Sequence, residues 1–533
     1  MARVDNPVGS RPAAAHMNRW PPLLLVLAMV AGLIVLDQSV VNDELSVAAP
    51  VDQEGGPLSA APDASGTTWY CPAGFITPDA LNDHVVILTN TTDEPALGTL
   101  TIYPSLLDVD GNPLPFPRAA QPIDVAAGAQ RQISLAPLAA SLDPRLSTNT
   151  GAFVAALVEF EGAGVNVEHT VVAAQGSDIG PCATSASTSW WFASGTTTAD
   201  VGYQLYFLNP FPDDAVVDIV FVTDAGSRSP TAFKGKLIPA QSLTVIQVAP
   251  EVPVNAQMTA QVTVLTGRVI AERIQLFENQ AGPTGLSLSL GSNRLAEQWF
   301  FPAGRSVPGA GESYLIYNPG EFAAEVEFEL KPDSVDRMGD VAPLAVPVGP
   351  RERWIVTVSG HSTHPVDALA SIDATTMVEP GEPFFASVRS FNGVPVVAER
   401  IFTRPLATGG VTASLGSAVA ATDQAVAVPT LAAVAEVATL AVLNPAGDTV
   451  ARIQVFVGGS DGEELRAETE VGPRRRAVFD LLSLLKPGDR WIRVRSSTGT
   501  IAELTMATDG LLLSSTAIPV QGTTSVPDLL AFE

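Results

Sequence analysis

The chain has 533 residues, of which 46% are hydrophobic and 16% charged, and its net charge is −27. This length is enough for several domains. Few charges together with 43 Gly and 43 Pro are typical of β-sandwich domains rather than helical ones. A surface with this excess of acid repels phosphate backbones, which argues against binding of DNA or RNA.

The first predicted element is a membrane-spanning helix. An uncharged apolar run from Trp20 to Leu36 follows a tail that carries Arg3, Arg11 and Arg19, and its roughly 17 residues are near the minimum that spans a bilayer. Basic residues before the run and acidic residues after it place the N-terminus in the cytoplasm and the remainder outside. No small-residue cleavage site follows at the usual distance, so we expect a retained signal-anchor.

Internal repeats organise the rest of the chain. Three copies begin with an aromatic opening, at residues 69–74 (WYCPAG), 190–195 (WWFASG) and 299–304 (WFFPAG), whereas the fourth has only Val428-Pro429-Thr430 there. An apolar strand that ends in asparagine then follows in every copy, and proline comes next in three of them. This pair favours a turn, because Asn can cap its own chain and Pro fixes φ. The four asparagines are Asn90, Asn209, Asn318 and Asn444.

Each copy closes with a glycine turn, a short β run and a glutamate. These glutamates recur roughly 100 to 130 residues apart, whereas the blades of a β-propeller repeat at about 40–50 residues. A unit of about 100 residues with about seven short strands has the size of an immunoglobulin-like sandwich. Two copies also share a later segment, at residues 285–292 (GLSLSLGS) and 410–417 (GVTASLGS). The repeated glutamates are Glu168, Glu272, Glu399 and Glu503.

The predicted fold class is therefore all-β, with tandem immunoglobulin-like β-sandwich repeats after one N-terminal transmembrane helix. The segment between the helix and the first repeat is rich in Ala, Pro, Asp, Gly and Ser, which is typical of a flexible stalk. The predicted segments are a cytoplasmic tail (1–19), a transmembrane signal-anchor (20–37), a stalk (38–66) and four repeats (67–183, 188–280, 297–406 and 425–520).

The repeated motifs resemble those of a known family. The aromatic opening, the strand ending in Asn-Pro and the Val-Val-Ala-Glu-Arg ending at residues 396–400 resemble a repeat of actinobacterial secreted and membrane-anchored proteins. With its N-terminal anchor and Trp-Tyr-Cys-Pro opening, the whole chain resembles an actinobacterial family of unknown function. That resemblance implies an exported, β-rich, envelope-associated protein without an established activity. The fourth repeat departs from the pattern, because Leu504 stands where Arg273 and Arg400 follow the glutamate.

The repeated glutamates are the first candidates for chemistry. Glycosidases need two carboxylates within about 10 Å of each other, whereas these glutamates occur once per repeat and are separated by a whole domain. We interpret them as structural ion pairs or turn contacts that duplication has repeated. The close pair His361 and His364 lacks a third zinc ligand. The sequence therefore predicts no enzyme, with neither a catalytic residue, a cofactor nor a metal.

The aromatic openings allow two interpretations. Trp69, Trp190, Trp191 and Trp299 can stack on sugar rings through apolar contact, or they can fill the core and the contacts between repeats. Exposure of these rings on one face favours the first interpretation, and burial favours the second.

Two functions follow from these observations. The first is a non-enzymatic, membrane-anchored extracytoplasmic scaffold or adhesion protein of the bacterial cell envelope, a rod of four sandwiches that holds an unspecified envelope protein or glycan. The alternative is a carbohydrate-binding accessory protein, or a carbohydrate-active enzyme, in envelope glycan assembly.

A disulfide between Cys71 and Cys182 is the last prediction. They are the chain's two cysteines, and both lie outside the membrane in the predicted topology, where thiols are oxidised. Cys71 lies in the opening of the first repeat and Cys182 just before its predicted end. The bond therefore ties the entry of that repeat to its exit.

Overall fold

The computed structural model describes residues 56–61, 64–77, 82–108, 113–148, 151–278, 282–334, 336–337, 341–359, 371–405, 408–429, 434–459, 461–508 and 510–527. Most of these residues lie in strands, so the all-β prediction is confirmed. The predicted tail, signal-anchor and most of the stalk, together with His361 and His364, lie outside the described residues. Within the described ranges, none of the helices is long and apolar enough to cross a membrane.

Repeat 1 consists of two antiparallel sheets and two short helices, Ala136–Leu142 and Arg145–Thr148. One sheet has the order β1-β8-β4-β5, with β2 beside β8 and β6 beside β4, and the other has the order β10-β9-β3-β7. The strands are β1 (Gly66–Cys71), β2 (Phe75–Ile76), β3 (Asp83–Asn90), β4 (Ala96–Leu107), β5 (Pro113–Pro115), β6 (Ala119–Val125), β7 (Gln130–Ser134), β8 (Ala152–Glu161), β9 (Val165–Ala173) and β10 (Gly176–Pro181).

Repeat 2 has the same two-sheet plan, with a 3₁₀ turn at Thr231–Phe233. Its sheets have the orders β11-β17-β13-β14, with β15 beside β13, and β16-β12-β18-β19. The strands are β11 (Ser189–Phe192), β12 (Val201–Asn209), β13 (Ala215–Thr223), β14 (Gly226–Arg228), β15 (Lys236–Ile238), β16 (Ser242–Gln247), β17 (Met258–Thr266), β18 (Ile270–Glu278) and β19 (Thr284–Leu290).

Repeat 3 repeats the plan again, with the orders β20-β26-β22-β23 and β25-β24-β21-β27-β28. In β22, Val326 and Phe328 are buried and Glu325 is exposed, as alternation along a strand with one buried face requires. The strands are β20 (Gln298–Arg305), β21 (Gly311–Asn318), β22 (Ala324–Pro332), β23 (Leu344–Val348), β24 (Glu352–Ser359), β25 (Ser371–Asp373), β26 (Pro383–Ser390), β27 (Val397–Thr403) and β28 (Val411–Leu415).

In repeat 4 one strand of 20 residues, β34, runs through both sheets and joins them. A helical turn, Leu481–Leu484, follows β33. The strands are β29 (Ala420–Ala427), β30 (Val437–Asn444), β31 (Ala451–Gly459), β32 (Gly462–Val471), β33 (Arg475–Asp480), β34 (Asp489–Thr508), β35 (Leu511–Thr516), β36 (Ile518–Pro519) and β37 (Thr524–Ser525).

The sheets extend beyond the predicted ends of the repeats. Strand β19 belongs to repeat 2 and β28 to repeat 3, although both lie past those ends, and β29 of repeat 4 begins at Ala420. The pairing order also differs from the ABED and CFG sheets of immunoglobulin domains, because the first strand of repeats 1 to 3 pairs with the last-but-two. What these repeats share with immunoglobulin domains is therefore the packing of two sheets around a core.

The repeated asparagine closes the same turn in all four repeats and is fully buried. In repeat 3, Nδ2 of Asn318 donates to the carbonyls of Phe322 (2.7 Å) and Val348 (3.0 Å), and its Oδ1 accepts from the Gly320 amide (2.9 Å). Equivalent bonds are made by the other three asparagines. The side chain thus satisfies backbone groups that a turn leaves unpaired.

The four repeats are closed into a ring rather than arranged as a rod, so the predicted linear arrangement is wrong. Strand β10 contacts β19, β19 contacts β28, β28 contacts β35, and β35 contacts β10. Repeats 1 and 4 also meet where Nε1 of Trp491 donates to the Gly128 carbonyl (3.0 Å). In the predicted stalk, Ser59 pairs with Val520 of repeat 4, so the end of that segment is held by the ring.

The segments shared by repeats 2 and 3, at residues 285–292 and 410–417, begin where β19 and β28 approach each other. Gly285, in β19, has φ +153°, and a Cβ built on it lies 2.8 Å from the amide nitrogen of Val411 in β28. A side chain at this position therefore clashes with the neighbouring backbone, and its conformation also favours glycine. This explains why the two segments in repeats 2 and 3 begin with the same residue.

The predicted disulfide is confirmed. Cys71 and Cys182 are bonded, with their Cα atoms 4.7 Å apart. Next to them, Tyr70 and Ala183 exchange two backbone hydrogen bonds of 2.8 Å each. The bond therefore fixes the first strand of repeat 1 to the segment that leaves it.

Candidate functional site: the junctions between repeats

The repeated glutamate of each repeat reaches across a junction to the preceding repeat, and the glutamate of repeat 1 reaches repeat 4. All four side chains are buried. Oε2 of Glu272 accepts from the Ala73 amide, that of Glu399 from Ser194, that of Glu503 from Ala303 and that of Glu168 from Ala427, at 3.0, 3.0, 3.0 and 2.6 Å. In three junctions the amide belongs to the aromatic opening. The two recurring motifs of the sequence therefore meet each other.

In repeats 1 to 3 the residue after the glutamate contacts the glutamate of the next repeat. His169 Nε2 lies 3.0 Å from Oε1 of Glu272, Arg273 Nη2 lies 3.2 Å from Oε2 of Glu399, and Arg400 Nη2 lies 2.6 Å from Oε1 of Glu503. Leu504 occupies this position in repeat 4 and supplies no charge. Arginine–glutamate ion pairs are therefore present in two junctions and a histidine–glutamate contact in a third, and each joins two repeats.

A third position completes the pattern. It lies on the strand that pairs with the strand of the glutamate. Its pairing partner there is the residue three positions after the glutamate. The side chain differs at every junction, so duplication has kept the geometry and changed the chemistry. The residues are His84, Tyr203, Glu312 and Ala438.

At the first junction a chain of buried hydrogen bonds connects two histidines to the glutamate. His84 Nδ1 lies 2.8 Å from the Val154 carbonyl and its Nε2 lies 2.9 Å from His169 Nδ1. Because Nδ1 of His84 faces a carbonyl, it carries the proton, and Nε2 accepts from His169. Burial lowers the pKa of His84 to about 3, with the neighbouring His169 adding to the effect. His84 is therefore neutral.

At the second junction one carboxylate oxygen gathers most of the bonds. Oε2 of Glu399 accepts from the amide and hydroxyl of Ser194 and from both terminal nitrogens of Arg273. Both charged side chains are fully buried. The guanidinium also lies 5.5 Å over the ring of Phe192. Removing one partner of such a pair strongly destabilises the folded protein, because the other charge stays buried and uncompensated.

At the third junction the pair is enclosed less tightly. Arg400 also faces Glu312, whose Oε1 lies 4.0 Å from Nη1. Oε1 of Glu312 accepts from the hydroxyl of Tyr314 (2.7 Å). Burial raises the pKa of Glu312, although Arg400 opposes this effect. A cavity of about 620 Å³ opens beside these side chains.

At the fourth junction, which closes the ring, the glutamate has no cation among the described residues. Glu168 accepts from the Ala427 amide and from the hydroxyl of Ser515 (3.0 Å). Burial raises its pKa to about 7, and these two hydrogen bonds only partly offset that effect. Ala438 and Leu504 take the places of the polar side chains of the other junctions. This junction therefore contains an acid that titrates near neutral pH.

Ring closure is expected to weaken as pH rises. The pKa of Glu168 is about 7 in the folded chain and about 4.3 in an unfolded one. Between these values the folded state binds more protons, so the free energy of unfolding falls with rising pH, by up to about 4 kcal/mol. Leu504→Arg supplies the cation of the other junctions and should remove this slope. Urea unfolding at pH 5 and pH 8 measures the difference.

Leu504→Met is the matched control, because it stays apolar and should keep the slope of the wild type. Glu168→Gln should be pH-independent at this site and more stable than the wild type at pH 8. Equal pH slopes in the wild type and Glu168→Gln would contradict the assignment.

The predicted aromatic contacts lie inside the protein. Trp69, Trp190 and Trp299 are 0%, 1% and 0% exposed, so their faces are closed to a sugar ring. Nε1 of Trp190 donates to the Val269 carbonyl and Nε1 of Trp299 to that of Val396, both three residues before the repeated glutamate. Trp191 is half-buried and packs against the core of repeat 3.

The opening of repeat 4 was placed too far along the chain by the sequence analysis. In the structure Gln424 takes the role of the tryptophan, and its Nε2 donates to the Thr500 carbonyl (2.9 Å), again three residues before the glutamate. The opening is therefore Gln424 to Ala427, before the predicted Val428. Gln424 lies three positions before the amide that bonds the glutamate, whereas the tryptophan lies four positions before it in the other repeats. This shorter spacing obscures the repeat in the sequence.

Asp178 is a junction residue that sequence analysis missed. It lies fully buried in β10, where its Oδ2 accepts from the Leu288 amide of repeat 2 and the Thr412 hydroxyl of repeat 3, both at 3.0 Å. Burial raises its pKa well above the usual value. Its equivalents in repeats 2 and 3, Ser287 and Thr412, are neutral, so no repeated acid marks the position in the sequence.

The comparisons with known proteins find a family but no function. No curated protein matches the chain. The crystal structure of Thermotoga maritima 1070 is 20% identical over 23% of this chain and 94% of its own, with a TM-score of 0.16. The Anabaena sensory rhodopsin transducer is 19% identical over 19% and 93%, with a TM-score of 0.14.

A tetra-tandem repeat from the extending region of a large adhesion protein is 12% identical over 80% of this chain and 92% of its own, with a TM-score of 0.10. All three TM-scores are far below 0.5, so none of these structures establishes a shared overall fold. Within the described ranges, no group of three His, Cys, Asp or Glu side chains is placed to hold a metal. A model of the family of unknown function DUF5719 matches residues 152–473, more than half of the chain, and the chain therefore belongs to that family.

Proposed function

We propose that the chain is a non-enzymatic scaffold or binding protein of the bacterial cell envelope, held outside the membrane by an N-terminal signal-anchor. The observation that supports a scaffold is the use of the repeated acids. Three of the four repeated glutamates contact an arginine or a histidine across a junction, and the fourth accepts hydrogen bonds from repeat 4. Such side chains stabilise a ring and are not free to act on a substrate.

The disulfide supports the proposed compartment. Structural disulfides persist in oxidising surroundings and are rare in the cytosol, and Cys71 and Cys182 are bonded in the first repeat. The charge pattern around residues 20–36 supports the same orientation. An actinobacterial source is proposed on the resemblance of the repeated motifs.

The partner is proposed to be an envelope protein or glycan that binds the outer surface of the ring. The alternative of a carbohydrate-binding protein depended on exposed tryptophan faces. Burial of Trp69, Trp190 and Trp299 removes that platform, so the scaffold is the better-supported function. Affinity capture from the native envelope identifies the partner, and turnover of envelope glycan by the purified chain alone would contradict a non-enzymatic role.

Export is tested by fusing residues 1–55 to alkaline phosphatase. We expect an active reporter, because that enzyme forms its disulfides only outside the cytoplasm. The same fusion to green fluorescent protein should remain dark when exported through the general secretion route.

Deletion of residues 23–36 is the control for this experiment and should abolish phosphatase activity. If the phosphatase fusion is inactive and the green fluorescent protein fusion is fluorescent, residues 1–55 do not direct export and the ring stays in the cytoplasm.

A further inference from the structure

The third junction contains a cavity with the dimensions of a ligand site. It lies between repeats 3 and 4 and measures about 620 Å³, within the range of about 300–1,000 Å³ of small-molecule sites. The corresponding place between repeats 2 and 3 measures about 50 Å³. The enlargement is therefore specific to one junction of two that share the same geometry.

Smaller side chains in one wall contribute to the difference. The wall of the smaller cavity contains Ile401 and Thr403, two and four residues after the repeated glutamate. In the larger cavity Thr505 and Ala507 occupy the equivalent positions. Gln275 also fills the smaller cavity and donates to the Thr196 carbonyl (3.0 Å).

Buried polar atoms without partners face this space. Arg400 is 1% exposed and lines the cavity. Its Nη2 donates to Glu503, but its Nε and Nη1 have no hydrogen-bond partner among the described residues, and neither has Oγ1 of Thr505. Native proteins rarely leave buried donors unpaired, because the loss of their water is not offset. A bound group that accepts hydrogen bonds resolves this deficit.

The charge of the lining selects an anion. Four arginines and two acids line the cavity in a chain whose net charge is −27. Arg476 is paired with Asp333, and Arg404 and Arg400 are paired with Glu436 and Glu503, which lie outside the lining. The fourth, Arg305, is exposed and forms no ion pair among the described residues. The buried arginine donors of the lining that lack a hydrogen-bond partner are Nε and Nη1 of Arg400. The apolar lining includes Phe402, Val437, Ala441, Val478, Ala507 and Leu512.

We propose that this cavity binds a small monoanionic carboxylate with an apolar body. The carboxylate accepts hydrogen bonds from the donors that Arg400 leaves free, and the apolar body packs between Phe402 and Leu512. Two buried donors of one arginine, beside the carboxyl group of Glu312, suit a single negative charge better than the two charges of a phosphate ester. The site adds a specific ligand to the proposed scaffold and does not depend on where the protein resides.

The test uses the full chain in phosphatidylcholine nanodiscs and isothermal titration calorimetry. The ligands are 3-phenylpropionate and hexanoate, and their uncharged amides are the matched comparison. We expect both acids to bind one site and the amides to bind at least tenfold more weakly. Empty nanodiscs correct for partition into lipid.

Two variants locate the binding. Arg400→Leu introduces leucine, which repeat 4 has at the equivalent position, Leu504. It removes the donors of Arg400 and should therefore weaken binding at least tenfold. Thr505→Trp fills the cavity while keeping the pair of Arg400 and Glu503, and it should abolish binding. Thr263→Trp, on an exposed position of repeat 2, is the control and should bind like the wild type. Thermal unfolding of each variant establishes that the ring is folded.

Three results would overturn the proposal. The first is the absence of binding of either acid to the wild type at millimolar concentration. The second is equal affinity for acid and amide, and the third is unchanged affinity in folded Thr505→Trp. A chain that binds the acids but is not exported would contradict the proposed compartment alone.

Discussion

Replacing Glu399 by glutamine is expected to lower the free energy of unfolding by about 3–5 kcal/mol. The change leaves the charge of Arg273 buried without its partner, since both side chains are 0% exposed. It also weakens the hydrogen bonds that the amide and hydroxyl of Ser194 donate to the same carboxylate oxygen. The loss should appear in urea unfolding monitored by tryptophan fluorescence.

A second substitution separates the pair from its surroundings. Adding Arg273→Leu to Glu399→Gln reproduces the uncharged residue of the fourth junction, so the double variant should be less destabilised than the sum of the two single variants. Glu325→Gln, at an exposed position of β22, should change stability by less than about 0.5 kcal/mol. Unchanged stability of Glu399→Gln with lost capture of a partner would contradict the structural role.

Removing the disulfide is expected to cost about 4–5 kcal/mol. The bond spans 111 residues, and closing so long a loop removes much conformational entropy from the unfolded chain. The folded state should persist, because the strand holding Cys71 remains paired with β8 and with the segment at Ala183. Comparing the wild type with the double variant Cys71→Ala and Cys182→Ala in urea measures the loss.

Reduction provides the internal control for this prediction. A reductant should destabilise the wild type and leave the double variant unchanged. Equal stability of the oxidised wild type and the double variant would show that the bond does not restrict the unfolded chain.

Features encoded by neighbouring residues were predictable from the sequence. The turn at Asn318 and its equivalents and the division into repeats depend on local periodicity and on spacing within one repeat. The disulfide was predictable because the chain has two cysteines and one compartment permits their oxidation. Each of these inferences needs only the residues themselves and their distance along the chain.

The order of sheets and the closure of the ring depended on the tertiary structure. The bond between Glu168 and Ala427 joins residues 259 positions apart, and no periodicity in the sequence specifies such a contact. Sequence repetition is equally compatible with a rod and a ring, because both use the same interface between successive repeats. Closure is decided by the angle between repeats, which follows from packing.

The sequence by itself determined that this protein is built from strands, that it contains four related units, and that their acids and aromatic residues recur. Only the tertiary structure decided what those residues do. It joined each glutamate to the opening of another repeat and three of them to a histidine or arginine of that repeat, left Glu168 without a cation among the described residues, and opened a cavity beside Arg400. The physical reason is that burial and pairing of charge depend on neighbours in space, and these neighbours come from different repeats.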